Sequence, residues 1–512
     1  MKKLPYLLLL LILSACDGEL NLSNPNRQTT ADFWENADQA FAGCNAIYNS
    51  LIIDGTYMRM YPALNDGRGD DMTGDSPWPD LGQVANFTIP TTSGPVQWVW
   101  GAHFQLVWRA NQVLDNVPNI TMDQGLKDRI IGQAHFLRGL AYFNLANFYK
   151  TVPVITATPK SSSDYYAPTA SEDELWNQIF ADFQKAKTLL PTSYAGLTGP
   201  DQGQVGRATK GAATGMLGKA YLYRKKWQDA ATQFKELIDG NLYKLVPNYR
   251  DNFGISNENN SESLFEVQFA LPGQVGGSDM NWGGDPSATW KQVSTQAVTY
   301  AMDERGFSDF LPTRWAYTEF KKEKTVDGKT DPRLLATIAS YEPGDNSTTV
   351  YGAPWPYAQD KIYPRKYTND GLGIVNEFDL NSGINYRVMR YADVLLMYAE
   401  ALNELGRTNE AYPFIQQIRD RVKLPNLATT KPGLTQAQMR DQIAHERALE
   451  LASEGSRIAD IIRWGWLYDS AKLQELRQHD ADFNTWTPGN EYLPIPQREL
   501  DVNPNLLPNS AN

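Results

Sequence analysis

The sequence predicts a mainly α-helical fold, in which tetratricopeptide-like helix pairs form a scaffold that carries long irregular, loop-rich excursions. Helical periodicity dominates the chain outside its middle, and several helix pairs share one spacing of small and aromatic residues. Between them lie stretches that are rich in Gly, Asn, Pro and aromatic residues and have few helical signals. These observations favour a helical scaffold with irregular segments over an uninterrupted stack of repeats.

The repeats are identified by small and aromatic residues at fixed offsets along two successive helices. In residues 206–240 these are Gly218, Tyr221, Ala230 and Phe234. In a second copy they are Ala399, Leu402, Ala411 and Ile415. A weaker third copy begins at Gly139 and Tyr142, and its second helix covers residues 172–190. Small residues at these positions let two helices approach, and the aromatic rings fill the space between them.

Two stretches interrupt the helical pattern. Residues 242–390 contain few helical signals, and residues 65–100 are similarly rich in aromatic and turn-forming residues. We interpret residues 16–512 as one domain, with a helical scaffold over about 30–240 and 385–512 and a loop-rich lobe over about 242–389. Loops on a rigid scaffold are a common place for binding residues.

The start of the chain resembles a lipoprotein signal. Lys2 and Lys3 precede an apolar run over residues 4–13 that is too short to span a bilayer. The next residues complete the pattern Leu-Ser-Ala-Cys of a bacterial lipobox, which predicts a signal peptide over residues 1–15 and acylation of Cys16. Two or three acyl chains would give stable membrane attachment. The alternative is an ordinary signal peptide that happens to contain a cysteine.

Charge and cysteine content exclude some classes of function. The net charge is −12, with no run rich in lysine or arginine, which makes nucleic acid a poor partner. Cys44 is the other cysteine besides Cys16, so the mature chain is not expected to contain an intramolecular disulfide. Cys44 falls on the apolar face of a predicted helix and is expected to be buried.

Carboxylates near the C-terminus allow two interpretations. Glu446 and Glu450 lie one helical turn apart, as in a carboxylate pair that a glycosidase would need. The neighbouring charged residues, at helical spacings, favour a structural ion network that holds the last helices together: Arg447, Glu454, Arg457, Asp460 and Arg463. We favour the network.

The sequence gives little support for a bound metal or nucleotide. The four histidines are scattered, and neither HExxH nor CxxC occurs. No phosphate-binding GxxxxGK[ST] motif and no GxSxG elbow occurs either. Residues 65–71 are acidic and Gly-rich but lack the EF-hand spacing, so a turn is favoured over a structural calcium site, which stays an alternative.

The C-terminal half carries motifs of a known family. Residues 390–401, which read RYADVLLMYAEA, resemble the signature helix of SusD-like (RagB/SusD) glycan-binding lipoproteins. Residues 446–457 are similar to the family segment ERxLELxxEGxR, and residues 460–465 to DxxRWG. The resemblance continues to the end of the chain and also covers residues 31–48 and 136–153.

This resemblance implies a mostly helical fold built on tetratricopeptide-like pairs, with a variable face of loops. It also implies a non-catalytic lipoprotein on the outer membrane that faces the cell exterior. Such proteins capture oligosaccharides and lie over a SusC-like TonB-dependent transporter, to which the glycan is delivered.

Tryptophans in the irregular stretches are the candidate glycan contacts, because flat rings bury the weakly polar C–H faces of sugars. They are Trp78, Trp282, Trp290 and Trp355. Lesser polar candidates, chosen by their proximity in sequence, are Arg68, Asn281 and Asp285. Tryptophans in helical patterns are expected in the core: Trp34, Trp108, Trp176, Trp227 and Trp464.

We therefore interpret the chain as a glycan-capturing surface lipoprotein without enzymatic activity. A glycoside hydrolase is the main alternative. A further alternative is a scaffold that binds only protein and has no affinity for sugar.

Overall fold

The computed structural model describes residues 33–270, 292–373, 376–379 and 382–509. The helices of the N-terminal half of this part are α1 Ala37–Asn49, α2 Met60–Asp66, α3 Pro79–Ala85, α4 Gly94–Asn116, α5 Gln124–Tyr149, α6 Glu172–Leu189, α7 Lys210–Tyr223 and α8 Trp227–Gly240. Those that follow are α9 Gln296–Tyr300, α10 Arg314–Lys322, α11 Arg333–Thr337, α12 Tyr391–Glu404, α13 Thr408–Arg421, α14 Leu427–Thr430, α15 Gln436–Glu450, α16 Arg457–Trp464, α17 Ser470–His479 and α18 Gln497–Val502. The mainly helical prediction is confirmed.

Short strands occur mostly between α8 and α12. They are β1 Met72–Gly74, β2 Ser263–Val267, β3 Phe310–Pro312, β4 Ile338–Ser340, β5 Thr349–Val350, β6 Ala353–Pro354, β7 Ile362–Pro364 and β8 Tyr386–Arg390. They form two-stranded antiparallel ladders in the pairs β1–β3, β2–β8, β4–β7 and β5–β6. The lobe between residues 242 and 389 therefore contains small ladders and short helices, in addition to the irregular loops that its sequence predicts.

The predicted helix pairs are α5 with α6, α7 with α8 and α12 with α13, and the last two pairs pack together through α8 and α12. Glycines allow the close approach within two of these pairs. A Cβ added to Gly139 would lie 3.1 Å from the ring of Phe183, and one added to Gly218 would lie 2.6 Å from the ring of Phe234. The small-residue and aromatic-residue roles assigned from the sequence are confirmed.

Local signals explain where these helices begin and end. Ser171 and Glu174 form a reciprocal capping box at the start of α6, where the acidic first turn also suits the helix dipole. The turn between α12 and α13 contains Gly406 at φ 76°, a conformation that favours glycine.

One hydrophobic cluster extends from Ala40 in α1 to Leu506 near the C-terminus. It includes Cys44, which is buried and free as predicted, and burial raises the pKa of its thiol to about 12. In the part of the chain described here, no helix combines the length and the apolar character needed to cross a bilayer.

Replacing Gly218 by Ala tests the close contact between α7 and α8. In most helix interiors this change stabilises by about 0.5–1 kcal/mol. Here the new methyl group would collide with the Phe234 ring, so we expect a loss of about 1–3 kcal/mol from overpacking. The matched control is Gly101→Ala in α4, where nothing lies within 4 Å of the new methyl group. Urea unfolding of both variants measures the difference, and equal stabilisation by both changes would contradict the contact.

Buried ion pairs connect the C-terminal motifs to the rest of the molecule. Glu450 is fully buried between the guanidinium groups of Arg390, Arg421 and Arg333. Burial alone would raise the pKa of this carboxyl, but the arginines outweigh it and hold the pKa well below its usual range. Glu446, also fully buried, pairs with Arg419 at 2.5 Å. The predicted structural ion network is confirmed.

The network reaches beyond the last helices. Arg390, at the end of β8, bridges Glu262, Glu450 and Glu454. Other members connect helices to each other or to the lobe; they are the pairs Arg447–Asp393, Arg447–Asp460, Arg457–Asp70 and Lys366–Glu454. The charges therefore join the loop-rich lobe to the helical scaffold. The spacing of the charged residues in the sequence does not by itself indicate this connection.

Replacing Glu450 by Gln tests the stabilising role of this network. The change removes one carboxylate partner from each of three buried guanidinium groups, so we expect the free energy of unfolding to fall by about 3 kcal/mol. Glu410→Gln is the control, because the Arg407–Glu410 pair is exposed and solvent screens the attraction between its charges. Chemical denaturation measures the free energy of unfolding of both variants, and we expect a clearly larger loss for Glu450→Gln. Similar small losses of stability in both variants would show that the buried charges are not required for stability.

Candidate functional site

The described part of the chain contains three of the predicted glycan contacts. Trp78 precedes α3 and Trp355 follows β6, and both are partly exposed. Arg68 lies in the turn after α2. The other predicted contacts lie outside the described residues: Asn281, Trp282, Asp285 and Trp290.

The structure does not support Arg68 as a glycan contact. Its side chain is only 1% exposed, and its guanidinium group donates to the carbonyl oxygens of Leu64 and Glu491. The group also lies 5.8 Å from the ring centroid of Phe148. The prediction was wrong because proximity in sequence does not show which way a side chain points. Arg68 instead joins the α2 turn to the C-terminal segment.

Trp78 belongs to a group of rings around Arg59. Its ring lies 5.8 Å from that of Trp98 in α4. The Arg59 guanidinium group lies 5.6 Å from the Trp78 ring and 5.4 Å from the ring of Phe307. Phe307 in turn meets Phe378 at 5.7 Å, edge to face. The chain thus brings together aromatic side chains from four separate segments.

Arg59 is held in place below these rings. It is 4% exposed, pairs with Asp309 at 3.0 Å and donates to the hydroxyl of Thr299 at 3.0 Å. The other carboxylate oxygen of Asp309 accepts the hydroxyl of Ser76, two residues before Trp78. A guanidinium group that lies over an aromatic ring contributes about 0.5–2 kcal/mol. Because the ion pair with Asp309 holds Arg59 in place, and Arg59 lies against the Trp78 ring, the ion pair also helps to fix the position of Trp78.

The approach of α4 brings Trp98 into this group. Residues Asp54–Met58 form a wide turn, and a Cβ on Gly55 would lie 2.2 Å from the backbone carbonyl oxygen of Trp98. Only glycine allows the turn and the helix to approach this closely. Arg59 follows the same turn, so one glycine contact helps to place both the tryptophan and the arginine.

Trp355 belongs to a second group of rings. It lies 5.7 Å from Tyr357, whose ring lies 4.8 Å from that of Tyr363. Both tyrosine hydroxyls donate to Asp303, one to its backbone carbonyl and one to its carboxylate. Burial and the neighbouring carboxylate raise the pKa of the Tyr363 hydroxyl, which stays protonated and able to donate.

Residues 303–307 connect the two groups, since they supply Asp303 to one and Phe307 to the other. The partly exposed rings of the two groups form a surface that we call the aromatic face. Its residues are Trp78, Trp98, Phe307, Trp355, Tyr357 and Phe378. All of them are at least partly exposed, and Phe378 is 45% exposed.

Exposed carboxylates lie at the edge of the aromatic face. They are Asp75, Asp303 and Glu304. Partial burial and the repulsion from Asp303 raise the pKa of Asp75. These groups supply hydrogen-bond acceptors beside the rings, an arrangement suited to ligands that present both hydroxyl groups and apolar faces.

Sequence reasoning missed several residues of this face. Trp98 lies in the turn-rich stretch of residues 65–100 and Tyr357 follows the Pro-Trp-Pro segment of residues 354–356, whereas Phe307 and Phe378 have no distinctive neighbours in the sequence. The aromatic character of the segments that supply Trp98 and Tyr357 was the one sequence signal that could have indicated these two residues. Nothing in the local pattern indicated that residues 98, 307 and 378 would meet.

The expectation for helical tryptophans holds only in part. Trp176 is buried, but Trp108 is 51% exposed, which corrects its assignment to the core. Trp34, Trp227 and Trp464 are partly exposed. Helical periodicity identifies the face of a helix but not whether a neighbouring element covers the edge of that face.

The carboxylates near the C-terminus do not form a hydrolytic pair. Glu446 and Glu450 are both fully buried and paired with arginines, so neither can reach a polysaccharide. Within the described ranges, no group of three or more His, Cys, Asp or Glu side chains has an arrangement that could hold a metal ion. The turn expected at residues 65–71 is present at residues 67–71, directly after α2, and Asp70 in it pairs with Arg457 and His479.

The fold and the site together define a helical-repeat scaffold that presents an aromatic surface on its irregular segments. Residues 261–511 match the SusD family, and residues 23–222 match a family described as "Starch-binding associating with outer membrane". The chain belongs to the SusD-like family.

Individual relatives extend over nearly the whole chain. SusD-like protein P25 of Formosa agariphila is 27% identical over 502 residues, which cover 91% of this chain and 88% of that protein. A SusD superfamily protein from Bacteroides vulgatus superimposes with a TM-score of 0.80 at 28% identity, over 93% of this chain and 99% of the other. A laminarin-binding SusD-like protein superimposes with a TM-score of 0.75 at 29% identity, over 94% of this chain and 100% of the other.

Proposed function

We propose that this chain binds glycan through the aromatic face. The observation that carries the proposal is the convergence of partly exposed rings from distant segments around a fixed arginine, with carboxylates beside them. Membership of a family described as starch-binding, and similarity to a protein described as laminarin-binding, support the same conclusion.

The chemistry of the face fits a neutral polysaccharide. Each large ring can bury about 150–250 Å², and the C–H faces of sugar rings match such surfaces. The carboxylates of Asp75 and Asp303 would accept hydrogen bonds from sugar hydroxyls. Because Trp78 and Trp355 are already held by neighbouring groups, little side-chain freedom is lost when a glycan binds.

Family membership supports a proposal for the cellular role. We propose that Cys16 is acylated, that the protein is attached to the outer membrane facing the exterior, and that it delivers oligosaccharide to a SusC-like TonB-dependent transporter. The lipobox pattern supports the first step. The glycan contacts predicted at Asn281, Trp282, Asp285 and Trp290 stay predictions, and a structural calcium ion stays an alternative.

Affinity gel electrophoresis of the chain without residues 1–16 tests the proposal. The panel contains laminarin, starch, xylan, galactomannan and mucin, and reducing ends are assayed in the same samples. We expect one class of glycan to retard the protein without releasing reducing ends. Trp78→Ala and Trp355→Ala should each weaken retardation about tenfold, because each removes a stacking surface.

Trp108→Ala is the control for these variants, since Trp108 is an exposed tryptophan outside the aromatic face. It should leave retardation unchanged. New reducing ends would favour the glycoside hydrolase. No retardation by any glycan would contradict the proposal and favour a scaffold that binds only protein.

A further inference from the structure

A cleft lies on the helical scaffold. It has a volume of about 640 Å³ and lies between the start of α8 with the turn before it, the helices α12 and α15, and the chain from the end of α16 to the start of α17. We call it the repeat cleft. Its volume lies in the usual range for ligand pockets, about 300–1,000 Å³. None of its lining residues belongs to the aromatic face.

Three tryptophans line the repeat cleft, namely Trp227, Trp464 and Trp466. Trp227 is the first residue of α8, and all three are partly exposed. The rings of Trp464 and Trp466 lie 5.0 Å apart with an angle of 36° between their planes. The indole N–H of Trp464 donates to Glu400 at 2.9 Å, which fixes the orientation of that ring. Two of these side chains were expected in the core, yet they contribute surface to a cleft.

The charges of the repeat cleft balance. Its lining includes four cationic and four anionic side chains, since Lys225, Arg440, Arg463 and Lys472 face Glu400, Glu404, Asp441 and Asp469. Most are paired with one another, as in Arg463–Glu400, Arg440–Glu404 and Lys472–Asp441. A lining with no net charge gives no electrostatic preference for an anionic or a cationic ligand.

The chemistry of this lining matches a neutral oligosaccharide. The partly exposed indole rings offer surface for the C–H faces of sugars. The Arg440–Glu404 pair is bidentate, at 2.6 and 2.8 Å, and its arginine is half-exposed. Such a pair presents donors and acceptors side by side, which suits adjacent sugar hydroxyls.

We propose that the repeat cleft is a second glycan-binding site that takes a neutral oligosaccharide. The proposal rests on the proposed function, because the second site would bind the same class of ligand as the aromatic face. Two separate sites on one chain raise the effective concentration of a long polysaccharide at each of them. The protein would then retain polymers more strongly than short oligosaccharides.

Fluorine NMR of protein labelled with 5-fluorotryptophan tests the second site. The protein used lacks residues 1–16, which are the predicted signal peptide and its cysteine. Trp78→Phe, Trp227→Phe and Trp464→Phe each remove one of the 14 tryptophan signals and thereby assign it. Laminarihexaose, maltohexaose, cellohexaose, xylohexaose and mannohexaose are then titrated separately. Trp108→Phe assigns a control signal from outside both sites.

We expect at least one hexasaccharide to shift the signals of Trp227 and Trp464 saturably, and to do so equally in the Trp78→Ala variant. In Trp227→Ala, the Trp464 signal should need about tenfold more ligand to saturate. Shifts confined to Trp78 would overturn the second site and leave the proposed function intact. No shift at any of these signals would contradict both.

A protein occupant is the competing outcome. If no hexasaccharide shifts the Trp227 and Trp464 signals, but the purified partner transporter does, the repeat cleft is a protein interface and the glycan proposal for it fails. Movement of the Trp108 signal together with the others would indicate a general change in the protein and would also overturn a specific site.

Discussion

The structure depends on charges that are buried in pairs. Arg390 is 1% exposed and bridges carboxylates from before β2, from α15 and from the turn after it. A buried guanidinium group without a counter-charge is strongly unfavourable, so folding is favoured when these segments meet. Hydrophobic burial brings the helices together without direction, whereas this network specifies which part of the lobe meets which part of the scaffold.

Buried charged groups also fix the position of side chains at the aromatic face. Arg59 and Asp309 form a buried pair that supports Trp78 and Phe307 from below, while Asp303 accepts hydrogen bonds from Tyr357 and Tyr363. Rings that are held before a ligand arrives lose little entropy on binding. The repeats thus provide a rigid support, the buried charges fix the lobe on it, and the lobe presents the rings that we propose bind glycan.

The sequence predicted those parts of the fold in which residues recur at helical spacing. Helix pairs, the buried Cys44 and the ion network at Glu446 and Glu450 all follow from helical spacing, and all are present. It did not predict that Trp98 meets Trp78, or that Phe307 meets Phe378, because these contacts join distant segments whose local pattern has no period. The assignments of Arg68 and Trp108 were wrong because proximity and periodicity do not show what a neighbouring element covers.

Hydrogen–deuterium exchange of the Arg390→Met variant tests most directly whether buried charges hold the lobe to the scaffold. The substitution keeps a side chain of similar reach but leaves three carboxylates without this partner. We predict that amides in β2, β8 and residues 333–366 exchange faster, while α7 and α8 keep their protection. Unchanged exchange in the lobe, or equal loss of protection throughout the molecule, would contradict the account.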